Sequence, residues 1–60
     1  MKFKKFDVVE LKNDNRAVIL AKDNKEYYAE ILDNSGNTLE HKNISADEIK
    51  RVIFSKGRER

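Results

Sequence analysis

The chain has 60 residues, with no cysteine, proline or tryptophan, two glycines and a single histidine. Without cysteine there are no disulfides and no thiolate zinc sites. That absence also fits a reducing compartment, so a cytoplasmic protein is expected. The lone His41 cannot build an imidazole metal site by itself. Gly36 and Gly57 stand too far apart for either a dinucleotide-binding glycine motif or a P-loop. The longest apolar run, Ala17 to Ala21, is too short for a secretory leader or a membrane span, so no membrane partner is expected. For the same reason the Asn43-Ile44-Ser45 sequon carries no weight. No cofactor and no metal are expected.

A chain of this length makes at most one domain and buries only about 60% of its unfolded surface on folding. Stability must come from packing and hydrogen bonding, with oligomerisation as a further source. Residues 1–55 are expected to form the domain, and 56–60 a basic, disordered tail.

Charge is abundant and nearly balanced, with 13 basic and 11 acidic residues and a net charge of +2. Its distribution is uneven. Residues 1–5 carry three lysines and no acid, residues 6–49 carry five basic and ten acidic side chains, and residues 50–60 carry five basic side chains against Glu59. The ends are basic and the middle is acidic, a pattern that can mark an interaction tail.

Four apolar runs alternate with polar turns. Phe6 to Lys12 places Val9 and Leu11 on one face, Phe6 and Val8 on the other. Asn13-Asp14-Asn15 reads as a turn. Arg16 to Lys22 is short, continuous and β-branched, which favours a buried strand. A second turn at Asp23-Asn24-Lys25 leads into Glu26 to Leu32, where Tyr27, Ala29 and Ile31 alternate with Tyr28, Glu30 and Leu32 as in a half-buried strand. Asp33-Asn34-Ser35-Gly36 is the clearest hairpin signal, and Asn37 to Lys42 returns as a polar strand. Ser45-Ala46-Asp47-Glu48 has the form of a capping box, with Ile44 and Ile49 placed as a hydrophobic staple. After it, Lys50 to Ser55 reads either as a continuing helix or as a final strand, and Val52-Ile53-Phe54 favours the strand.

That order of elements is the order of a small SH3-like barrel, with one helical turn before the last strand. The chain also resembles a family of short bacterial proteins whose domain has no assigned function. The resemblance rests on Asp7-Val8-Val9-x-Leu11, an aromatic at Tyr27 or Tyr28, Glu30, Asp33-x-x-Gly36-x-Thr38, and Asp47-Glu48-Ile49 before a β-branched run. It covers roughly residues 6 to 54. Such barrels usually have a glycine entering the second strand, where this chain has Arg16-Ala17. The resemblance implies a fold and no activity, because SH3-like barrels bind peptides, nucleic acids, modified lysines or other subunits.

The expected fold is therefore all-β, a five-stranded SH3-like barrel or strongly bent sheet. The alternative is a four-stranded antiparallel sheet closed by a C-terminal helix. The expected core is Val9, Leu11, Val18, Leu20, Tyr27, Ala29, Ile31, Leu39, Ile44, Ile49, Val52 and Phe54. In the other register Val8, Ile19, Leu32 and Ile53 take their place.

No residue pattern points to catalysis. His41 has no orienting partner in sequence, and Ser35, Ser45 and Ser55 read as turn, cap and surface residues. The carboxylates are scattered singly, and Asp33-Asn34-Ser35-Gly36 lacks the later ligands of a calcium loop. A non-enzymatic protein-interaction module with an unknown protein partner is the first expectation, as a monomer or weak homodimer. A nucleic-acid-binding module is the second. The residues expected to contact nucleic acid or a protein partner are Lys4, Lys5, Lys50, Arg51 and Lys56 as a basic patch, with Tyr28 as an exposed stacking surface. Set against it, lysines on edge strands also serve to block edge-to-edge pairing, and the acidic middle repels phosphates.

Overall fold

The computed structural model describes residues 3–55. Five strands, β1 (Val8–Leu11), β2 (Arg16–Asp23), β3 (Glu26–Leu32), β4 (Thr38–Ser45) and β5 (Ile49–Phe54), form one antiparallel sheet in the order β4-β3-β2-β1-β5. A three-residue 3-10 turn, Ala46–Glu48, joins β4 to β5. The alternative with a C-terminal helix is overturned, because residues 49–54 pair with β1 as a strand. The sheet is not closed into a barrel: β4 and β5 end it as two separate edges.

The turns follow from local chemistry. Asp14 and Asn24 take positive φ (75° and 57°), which Asp and Asn tolerate better than other side chains. In the Asp33–Gly36 hairpin, Asp33 Oδ1 accepts the amides of Ser35 and Asn37, both at 2.9 Å, and Gly36 adopts φ +89°. These bonds, that from Asn37 first, hold the Asp33 carboxyl below its ordinary value of 3.8. A depressed carboxylate contributes stability above its unfolded pKa and loses it as pH falls through the folded one. Carbon-detected titration of the Asp33 carboxyl should therefore give a midpoint below 3.8, with the Asn37 amide shift following the same curve. A midpoint at or above that value would contradict the hairpin geometry. At the 3-10 turn, Glu48 Oε2 accepts the Ser45 amide at 3.1 Å, the reach-back half of the expected capping box.

The core is Phe3, Val9, Leu11, Ala17, Ile19, Tyr27, Ala29, Ile31, Ile44 and Ile49, with Val52 packed against it. Four of the expected core positions are corrected. Val18 and Leu20 are only half-buried, and Ala17 and Ile19 take the inward face of β2. The partners explain this: Val18 lies opposite Glu30, and Arg16 opposite Glu10. Turning that face inward would bury those charges. Leu39 is 53% exposed. Ile31 pairs with Glu40 and Leu32 with Thr38, so Leu39 is the extra residue of a bulge. Phe54 is 45% exposed. The register shift after Val52 makes Ile53 the extra residue and sets Phe54 opposite the outward Val8.

Phe3 enters the core from outside the strands. Its ring meets Tyr27 edge-on, with centroids 5.4 Å apart. Asp7 fixes this approach. Its carboxylate is buried and accepts the Lys4 amide at 2.9 Å and the Ser55 hydroxyl at 2.8 Å, tying the entry to β1 to the exit of β5.

Candidate functional site

The outer edge of β4 is the longest stretch of unpaired strand among the described residues. β4 runs for eight residues and pairs only with β3. Its sequence, Thr-Leu-Glu-His-Lys-Asn-Ile-Ser, buries only Ile44. The other edge, β5, is interrupted by two register shifts against β1, and such irregularities blunt an edge. From Glu40 to Ser45, β4 pairs with β3 without a shift.

The direction of the free peptide groups follows from the ladder. Ile19 exchanges bonds with the β1 entry (Ile19 N–H to Asp7 O at 2.9 Å, Phe6 N–H to Ile19 O at 2.6 Å), and the Leu11 N–H donates to Asn15 O at 2.8 Å. Inward residues of β2 thus turn their peptide groups toward β1, and Arg16 and Val18 turn theirs toward β3. Alternation carries this across the sheet. Ile31, Ala29 and Tyr27 face β4, where they meet Glu40, Lys42 and Ile44. His41 and Asn43 present their N–H and C=O groups to the free side.

Beside this edge, on the inner face, lies an open cleft of about 250 Å³. Leu11 and Ile31, both buried, lie at its base. Glu40 and Lys42 flank it from β4, Asp47 and Glu48 from the 3-10 turn, and Lys12 and Asn13 from the β1–β2 turn. Glu40 and Lys42 occupy inward positions of β4, opposite Ile31 and Ala29, and make an exposed ion pair at 3.5 Å. The cleft therefore combines an apolar base with a rim of both charges. The polar strand over residues 37–42 is legible in the sequence, but its place at the sheet edge and the cleft beside it are not, because the lining comes from segments distant in the chain.

The expected nucleic-acid contacts are divided by the fold. Lys4 and Lys5 are exposed before β1, at the end where β5 finishes, with Lys5 Nζ 5.2 Å from the centroid of the Phe6 ring. Lys50 and Arg51 lie toward the other end, near Leu11 and Glu10. Arg51 Nε donates to Glu10 Oε1 at 2.6 Å, and this bond is the first cause holding the Glu10 carboxyl below its ordinary range. Tyr28 is on the outer face of β3, 41% exposed, with its ring stacked on His41 at 6.2 Å between centroids. Lys56 lies outside the described residues, as does the expected tail 56–60.

Among the described residues no three His, Cys, Asp or Glu side chains stand close enough to hold a metal ion, and no helix is long and apolar enough to cross a membrane. Comparison with protein families, curated proteins and solved structures returns no match.

Proposed function

We propose that the protein is a non-catalytic, cytoplasmic interaction module that receives an extended segment of a protein partner along the outer edge of β4. One observation carries this reading: an eight-residue edge strand with free peptide groups runs beside a cleft with an apolar base. Strand addition uses these two features, main-chain bonds for affinity and a side-chain pocket for specificity. The small-barrel order of elements supports the likeness to the SH3-like family, although the sheet is open. The nucleic-acid reading has the exposed Tyr28 ring in its favour. Against it, Arg51 is engaged by Glu10, and the described lysines of the patch are split between two ends of the sheet.

The test is selection of linear peptides from a phage-displayed library, with the bound peptides titrated into labelled protein. The expected amide shifts centre on His41, Asn43, Leu11 and Ile31. A parallel titration uses single-stranded RNA at physiological salt. RNA-induced shifts at Lys4, Lys5, Tyr28, Lys50 and Arg51, with no peptide mapping to β4, would replace this reading with the nucleic-acid one.

A further inference from the structure

We infer that the occupant of the β4 edge is a second copy of the chain, paired antiparallel through His41, so that Glu40 of each copy meets Lys42 of the other. The inference rests on the reading of β4 as the interaction edge and adds the identity of the partner.

Register decides how two copies can pair. Two β4 strands related by a two-fold axis pair so that residue numbers across the interface have a constant sum. The outward peptide groups belong to odd-numbered residues such as His41 and Asn43, so these must form the hydrogen-bonded pairs across the interface. Among the registers that satisfy that condition are three centred on residues 40, 41 and 42. One sets Lys42 opposite Lys42, and another sets Glu40 opposite Glu40. Like charges directly opposite destabilise a strand pair. The third sets His41 opposite His41. It places Glu40 opposite Lys42 twice, in the closely spaced pairs where side chains approach best. The strand is thus complementary in charge to itself in one register and repulsive in the neighbouring two.

Symmetry makes the interface closed. Each β4 has one free edge, so pairing consumes both and yields a dimer with a ten-stranded continuous sheet rather than a filament. The ion pair within each copy, at 3.5 Å and exposed, opens onto the partner and becomes an alternating group of four charges. No large movement of β4 is needed, because its peptide groups already face outward.

Sedimentation and NMR diffusion over a concentration series should show self-association of the whole chain, with concentration-dependent amide shifts at His41 and Asn43. Two single substitutions decide the register. Glu40→Lys gives two Lys–Lys pairs and Lys42→Glu gives two Glu–Glu pairs, so each variant alone should associate about tenfold or more weakly than the original chain. An equimolar mixture should form a heterodimer close to the original in affinity, since every opposed pair then has opposite signs. The double variant E40K/K42E should also recover. Recovery in the mixture shows that both single variants fold. Single variants that associate like the original, or a mixture that stays monomeric, would overturn the register. A chain that stays monomeric at all concentrations, yet binds selected peptides along β4, would overturn self-pairing and leave the interaction edge standing. Failure of both would remove the edge reading itself.

Discussion

Tyr27→Ala should cost the chain a large share of its stability, whereas Tyr28→Ala, one residue along, should cost it little. The two tyrosines face opposite sides of β3. Tyr27 is 3% exposed. It lies opposite Ile44 on β4 and Lys22 on β2, meets Phe3 edge-on at 5.4 Å and has Lys22 Nζ 5.1 Å from its ring centroid. Truncating a buried aromatic costs about 3–5 kcal/mol, and a domain of this size holds on the order of 3–9 kcal/mol in total, at about 0.05–0.15 kcal/mol per residue. The substitution removes from about a third to all of that margin, and it also strips Phe3 of its ring partner. Tyr28 stacks on His41 at the surface, and its loss should cost about 1 kcal/mol or less. Urea unfolding of the two variants checks this. A lower midpoint for Tyr28→Ala than for Tyr27→Ala would mean that β3 faces the other way.

Much of the fold can be read locally. The period-2 pattern from Tyr27 to Ile31 placed three core residues correctly, and the Asp33–Gly36 hairpin and the Glu48 reach-back bond follow from turn and cap chemistry. What could not be read is wherever the ladder holds an extra residue. Leu39 and Ile53 sit at register shifts. Counting by twos beyond such a point assigns the wrong face, which is how Phe54 came to be expected inside. Nothing in a hydropathy pattern marks these positions, because a bulge is set by the partner strand. Phe3 was missed for a related reason. It reaches the core only because the chain turns at Phe6, with φ 73°, and Asp7 pins that turn to Lys4 and Ser55. The candidate site divides in the same way. The polar, proline-free strand is visible in residues 37–42, while the cleft depends on bringing Leu11, Ile31 and the 3-10 turn together.

The bulge in β2 has the second large expected effect. Ile19 pairs opposite Ala29 and Ala21 opposite Tyr28, so Leu20 is the residue left over. Before it, Ala17 and Ile19 face the core. After it, Lys22 takes the inward position opposite Tyr27, with its ammonium over that ring. The shift lets β2 serve two regions, an apolar first half under β1 and an end where a lysine stem covers the edge of the core. It also bends the strand. Ile19→Ala should therefore cost about 2–5 kcal/mol, as for other fully buried aliphatic residues. Leu20→Ala should cost about 1 kcal/mol, since that side chain is only half-buried. Simple alternation with Val18 and Leu20 inside reverses the order. Chemical denaturation of the two variants separates the alternatives. A Leu20 substitution as damaging as the Ile19 one would put Val18 and Leu20 on the inner face with Lys22 by simple alternation, and no bulge would then be needed.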